Sequence, residues 1–113
     1  VDLVAERGTD VVATAAGRVA SVQTSKRWGV RVRIRHASGF STVYAHLGRA
    51  TISEGARVRR GERVGVVGST GLTTGPHLHY EIRRNGEALD PLGFFYPAAD
   101  SSLVSIADVA QQQ

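Results

Sequence analysis

The chain has 113 residues and a mass of 12.0 kDa, which suits one compact domain. Hydrophobic residues make up 42% of the chain and charged residues 21%, which excludes the composition of an intrinsically disordered protein. No apolar run approaches the ~18 residues of a membrane-spanning helix, and the absence of cysteine excludes disulfides and thiolate metal sites. Methionine is also absent, so we expect Val1 to follow processing, truncation or an upstream segment.

Basic residues outnumber acidic ones, with 13 arginines and one lysine against 10 carboxylates, a net charge of +4 and a pI of about 10.3. We expect such a surface to associate with polyanions, among which nucleic acid, anionic lipid and a carboxylate-rich cell-wall polymer are the alternatives. Aromatic residues make up only 6%, and neither a base-stacking array nor a recognition helix is visible. We therefore expect no nucleic-acid partner.

Period-two patterns and frequent glycines predict a chain of short strands. In residues 29–36 apolar and arginine side chains alternate strictly, which is typical of a half-buried antiparallel strand. In chain order, strands are predicted at 10–14, 17–24, 29–36, 40–46, 63–67, 76–83 and 87–89. The pattern predicts a mostly β, single-domain antiparallel sheet with a barrel or sandwich architecture. A faint repeat relates positions 8, 11 and 19 to positions 55, 58 and 66.

Two histidines flank Leu78 in the strand predicted at 76–83. Residues two apart in a strand point to the same face about 6.6 Å apart, so His77 and His79 project together, with Glu81 beyond them. Leu78, Tyr80 and Ile82 then point into the core. Two imidazoles at that separation can bind one cation, or one can bind it while the other reaches its water. The alternative is a histidine pair on a solvated sheet face.

A third histidine lies in the strand predicted at 40–46. There Val43, Ala45 and Leu47 alternate with Tyr44 and His46. We expect the apolar three to face the core, which places His46 on the opposite face, where it serves either a site or the structure.

His36 ends the arginine-rich strand just before the Ala37-Ser38-Gly39 turn, and we expect its side chain to stabilise that turn by a hydrogen bond. Asp2 opens the chain. A carboxylate near a terminus is either solvated or, because zinc accepts imidazole nitrogen and carboxylate oxygen, a candidate metal ligand.

The chain resembles the LytM/lysostaphin-type zinc metallopeptidases, the M23 family of cell-wall endopeptidases. The resemblance rests on Tyr-Ala-His-Leu at 44–47 followed by Gly-Pro-His-Leu-His-Tyr-Glu at 75–81, in this order. It includes Val-Asp-Leu at 1–3 and Asp-Pro at 90–91, and runs from Asp2 to about Phe95, some five-sixths of the chain.

The resemblance implies a β-rich core of the duplicated hybrid motif type with a groove site. It implies that Asp2 and His79 are zinc ligands and that His77 and His46 are the catalytic pair, with peptidoglycan cross-links or stem peptides as substrate. Glu81 then either holds an imidazole tautomer or pairs with a nearby arginine. We expect a periplasmic or secreted location in the cell envelope, and an inhibitory upstream segment or a regulatory protein is a further partner that the family suggests.

The sequence departs from the family pattern at one position. The first histidine of the His-x-x-x-Asp motif falls four residues before Asp2, outside this chain. We expect it to precede Val1 in a longer protein. The alternative is a non-catalytic LytM-type domain that binds peptidoglycan and activates other wall hydrolases. We expect the peptidase-like domain to cover residues 1–96. Residues 97–113 are expected to form a tail in which residues 103–110 can adopt a short helix.

Overall fold

The computed structural model describes residues 2–71 and 75–89, and this part of the chain is built from short antiparallel strands. Their bounds are β1 Asp2–Val4, β2 Asp10–Val12, β3 Gly17–Ser25, β4 Gly29–Arg35, β5 Phe40–Ala50, β6 Arg57–Val58, β7 Arg63–Val67, β8 His77–Arg84 and β9 Glu87–Leu89, with a short 3-10 turn at Ala37–Gly39. All seven predicted strands are present. Strands β1 and β6, of three and two residues, were not predicted.

The strands form one antiparallel sheet in the order β1-β8-β5-β4-β3-β6, with β9 also paired to β8. The far end of β5 bends away to pair with β7, which pairs in turn with β2. The prediction of a mostly antiparallel β domain is confirmed, and the sheet is not a closed barrel. Residues 103–110, where a helix was expected, lie outside the described residues. Within residues 2–71 and 75–89, no helix has the length and hydrophobicity that a bilayer crossing requires.

The hydrophobic core lies between the long strands and the β2–β7 ladder. In β4 and β8 its buried side chains come from alternate positions, as the period of two requires, whereas β5 and β7 each contribute residues three apart. The buried side chains include Val11, Val64 and Val67 from the ladder, and Val19, Val32, Ile34, Tyr44, Leu47, Leu78, Tyr80 and Ile82 from the long strands. Packing against this core holds the long strands in place. The sheet face that points away from the core is free to carry polar groups.

Both copies of the faint repeat begin with the same kind of turn, which also occurs at 59–62. Two turns 47 residues apart, at 6–9 and 53–56, each carry a 3.1 Å bond from the fourth residue to the first. In each turn the third residue is a glycine with a φ near +90°, and its N–H donates to a strand carbonyl, that of Val67 in the first turn and Val19 in the second. The same turn geometry therefore anchors both halves of the fold.

His36 does not bond to its own turn through its side chain, so that expectation is wrong. Its Nδ1–H donates to the carbonyl oxygen of Ala16 across 2.8 Å, and Nε2 lies 2.8 Å from the hydroxyl of Thr42. The turn is closed instead by the backbone bond from His36 N–H to the Phe40 carbonyl. The side chain ties β3 to β5 because it folds back across the sheet, a contact outside the range of a local pattern.

The hydrogen bond between His36 and Thr42 is the first of a series that links buried hydroxyl groups. The Tyr44 hydroxyl lies 2.9 Å from Thr42 and 3.3 Å from Thr14, whose own hydroxyl lies 2.9 Å from that of Tyr80. Burial raises the pKa of both tyrosines above the ordinary value, so both hydroxyls stay protonated. The network satisfies polar groups that would otherwise destabilise the core.

Candidate active site

Strand β8 presents its odd-numbered residues on the sheet face opposite the core. Leu78, Tyr80 and Ile82 are buried, as predicted, whereas His77 and His79 are partly exposed. The neighbouring strand β5 places Ala45 opposite His79, and this small residue leaves room for the histidine rings. The alternation of β8 therefore produces a polar surface directly above a rigid core.

Strand β1 brings Asp2 to the histidines. It pairs with β8 in a register that sets Asp2 opposite His79, although the two residues are 77 positions apart. The Asp2 Oδ1 atom lies 2.8 Å from His79 Nδ1 and 3.7 Å from His77 Nε2. Burial opposes ionisation of Asp2, but the hydrogen bond and positive charge of His79 outweigh it, so the pKa of Asp2 is lowered. An ionised carboxylate thus faces both rings.

Glu81 holds the other side of the His79 ring. Its Oε2 accepts a hydrogen bond from His79 Nε2 across 2.8 Å, and its Oε1 lies 2.8 Å from Nε and 2.6 Å from a terminal nitrogen of Arg83. The two alternatives raised for Glu81 therefore occur together. Burial opposes ionisation of this carboxyl, but the bonds from His79 and Arg83 outweigh it and lower its pKa. Both ring nitrogens of His79 thus donate to a carboxylate, and a metal ion that replaced the Nδ1 proton would be bound by the nitrogen that faces Asp2.

His46 reaches the site by a different route from the one predicted. Tyr44 lies in the core, whereas Val43 and Ala45 lie on the face that carries Glu81 and His79, so the expected assignment of faces is wrong. The reason is that His46 has a φ of +61°, in the left-handed region. This conformation interrupts the period of two and turns the ring towards the site.

Both remaining rings are held by backbone carbonyls. His46 Nδ1–H donates to the Thr70 carbonyl across 2.6 Å, and His77 Nδ1–H donates to the Gly75 carbonyl across 2.9 Å. In a neutral imidazole the other nitrogen is then unprotonated, so each ring presents Nε2 as a hydrogen-bond acceptor. The centroids of the two rings are 5.3 Å apart. Two proton acceptors therefore stand side by side, next to the Asp2–His79 pair.

Trp28 and Thr70 belong to the site, although the sequence analysis assigned no role to either. The Trp28 ring lies 4.8 Å from that of His79 and 5.9 Å from that of His46, centroid to centroid. The Thr70 hydroxyl donates to the Leu47 carbonyl across 2.6 Å and accepts from the N–H of Val30. No local pattern in the sequence assigns either residue to the site, because both contacts join segments that are distant in the chain.

The chemistry of the donors fits zinc. A carboxylate oxygen and an imidazole nitrogen bind zinc at about 2.0–2.2 Å, which sets two ligands of a tetrahedral ion about 3.3 Å apart. Asp2 Oδ1 and His79 Nδ1 are 2.8 Å apart, so a shift of about half an ångström would admit the ion. Nε2–H of His79 bonded to a carboxylate is the usual support of a metal-binding histidine. Among the residues described, no group of three or more histidine or carboxylate side chains is arranged to hold a metal.

A family model and several known proteins match the chain. The model of Peptidase family M23 matches residues 1–91. DD-carboxypeptidase/endopeptidase Mpg of Neisseria meningitidis is 42% identical over 113 residues, which is 100% of this chain and 26% of that protein. Murein hydrolase activator EnvC of Escherichia coli is 38% identical over 87 residues, which is 77% of this chain and 21% of that protein.

A similar solved structure is that of a zinc-containing peptidase from Vibrio cholerae. It is 34% identical, has a TM-score of 0.77, and the match covers 79% of this chain and 28% of that one. The chain spans about a quarter of the length of curated relatives such as Mpg. The match to the family model, the β-rich fold and the identity to these relatives agree, and the chain belongs to peptidase family M23.

Proposed function

We propose that this domain is a zinc-dependent endopeptidase that cleaves peptide cross-links or stem peptides of bacterial peptidoglycan in the cell envelope. The proposal is carried by one observation. The Asp2 carboxylate and His79 Nδ1 face each other at 2.8 Å, beside two histidines whose Nε2 atoms are both acceptors. The similarity to DD-carboxypeptidase/endopeptidase Mpg supports the choice of substrate.

Asp2 and His79 would hold the metal. Zinc, when bound, polarises the scissile carbonyl and acidifies a water molecule. His77 takes a proton at Nε2 as the general base, because its Nδ1–H is already donated to the Gly75 carbonyl. His46 accepts at Nε2 in the same way and orients the attacking water. A proton taken up at either Nε2 is then available to the leaving amine.

The surrounding contacts keep these groups in place before substrate binds. Glu81 holds the tautomer of His79, and the Trp28 ring packs against it. The Thr70 carbonyl fixes the orientation of the His46 ring by accepting its Nδ1–H. Such positioning is valuable because a displacement of about 1 Å in a catalytic group can lower a rate about 100-fold.

A second candidate function is a non-catalytic module that activates another wall hydrolase. It is favoured by the similarity to murein hydrolase activator EnvC.

The test is digestion of purified peptidoglycan by the full-length protein with and without a zinc chelator, followed by separation of the released fragments. We expect zinc-dependent release that is lost in His77→Ala and His79→Ala. Arg49→Gln is the control, because Arg49 is exposed at the far end of β5. Equal release with and without chelator would refute the metal mechanism. Absence of release by the protein alone, together with stimulation of a second hydrolase, would establish the activator role instead.

A further inference from the structure

Four arginines lie on one line across the sheet, on the side of Glu81 away from His77 and His79. The cross-strand register joins Arg57 of β6 to Arg18 of β3, Arg18 to Arg35 of β4, Arg35 to Ser41 of β5, and Ser41 to Arg83 of β8. Directly paired residues share a face, so these side chains form one line, which we name the arginine row. At about 4.8 Å per strand the row is about 19 Å long.

The row carries positive charge that its surroundings do not neutralise. Arg18, Arg35 and Arg57 are exposed, and none forms an ion pair with an acidic side chain of the described residues. Arg18 donates to the Gly55 carbonyl, a neutral acceptor, across 3.1 Å. Arg83 alone has an acidic partner, in Glu81. Like charges directly opposite in a sheet are unfavourable, so the arrangement costs stability unless an anion lies across it.

A cavity lies at the Arg83 end of the row. The cavity has a volume of about 260 Å³, and its lining includes Arg33, Arg35, Ser41 and Arg83. An anionic group in this cavity would lie among three guanidinium groups and offset their charge.

The row is aligned with the candidate active site. Arg83 lies on the same face of β8 as His79, four residues further along, which corresponds to about 13 Å. Glu81 lies between them and joins the two, since it pairs with both His79 and Arg83. A peptide lying along β8 would therefore reach the row about four residues from the histidines.

We propose that the arginine row and its cavity bind a carboxylate of the substrate peptide, about four residues from the bond at the histidines. The inference rests on the proposed function for the identity of the peptide. Arginine suits this role because its planar guanidinium donates two parallel hydrogen bonds to a carboxylate. The row thereby sets both the direction of the peptide and the preference for an acidic one.

The test measures binding separately from hydrolysis. Chelator-treated full-length protein is titrated with a synthetic wall stem peptide that carries free carboxylates, and with the same peptide amidated at those groups. We expect Arg35→Gln to weaken binding of the acidic peptide about fivefold and to leave the amidated peptide unaffected. Arg49→Gln removes the same charge from an exposed strand position off the row, and its affinity for the acidic peptide should stay within about twofold of the wild type.

A second measurement uses the zinc-loaded protein. Arg35→Gln should raise KM for the acidic substrate about fivefold without changing kcat, because the residue touches none of the reacting groups. Equal effects of Arg35→Gln and Arg49→Gln would overturn the proposal, as would tighter binding of polyphosphate than of the acidic peptide. Failure of the proposed function would look different, since the wild type would then hydrolyse nothing while the two peptides still differed in affinity.

Discussion

Gly29 connects the backbone fold to the candidate site, because it packs against Thr70, which holds the His46 ring. Its φ is +63°, and a Cβ atom added there would overlap the side chain and the carbonyl carbon of Thr70. The same Thr70 carbonyl accepts the hydrogen bond that orients His46. We therefore expect Gly29→Ala to destabilise the fold and to displace the His46 ring.

The stability that Gly29→Ala should lose has two parts. A left-handed φ costs an alanine about 1 kcal/mol, and overpacking against a backbone atom that cannot move costs a further 1–3 kcal/mol, roughly. Gly8→Ala isolates the first part, because Gly8 has a φ of +89° and no atom within 4 Å of an added Cβ. At about 4 °C per kcal/mol, Tm should fall by about 4 °C in Gly8→Ala and by about 8–16 °C in Gly29→Ala.

The assay is thermal unfolding followed by circular dichroism, with peptidoglycan hydrolysis measured at a temperature where both variants are fully folded. Gly8→Ala should retain wild-type kcat, whereas Gly29→Ala should lose about 100-fold through the displaced His46. If the two variants lose the same Tm, the contact with Thr70 contributes nothing and the reasoning is refuted. If Gly29→Ala loses stability but keeps its kcat, Thr70 does not position His46.

Two further predictions follow from buried contacts. Glu81→Gln should weaken zinc binding about 10- to 100-fold in competition with a chelating dye, because the carboxylate that holds the His79 tautomer is lost. The control is Glu87→Gln, which changes an exposed residue and should leave zinc affinity unchanged. Unchanged affinity in Glu81→Gln as well would contradict this role. The free energy of unfolding should fall above pH 10 by up to about 2.7 kcal/mol per pH unit. The reason is that Tyr44 and Tyr80 ionise near pH 10 only when unfolded, so the folded state binds more protons there. Urea unfolding between pH 9 and 11 measures how steeply the free energy of unfolding falls with pH. Tyr80→Phe should roughly halve this slope. A slope unchanged by that substitution would argue against a buried, protonated Tyr80.

Features that depend on neighbours in the chain were predictable from the sequence. The alternation in β4 and β8 correctly separates core from surface, because the side-chain period of a strand is set by the backbone itself. The same local rule places His77, His79 and Glu81 on one face. It failed at His46, where a left-handed φ interrupts the strand, and no period can indicate such a residue in advance.

Contacts between distant segments were decided by tertiary structure alone. Asp2 meets His79 because β1 pairs with β8 in one particular register, and a shift of one residue would turn its carboxylate to the other face. Trp28 and Thr70 reach the histidines through the packing of two loops. The sequence by itself therefore determined the strands, their faces and the excess of arginine. Only lateral pairing decided which of these side chains meet, because register depends on packing across the whole sheet and not on the residues of any one strand.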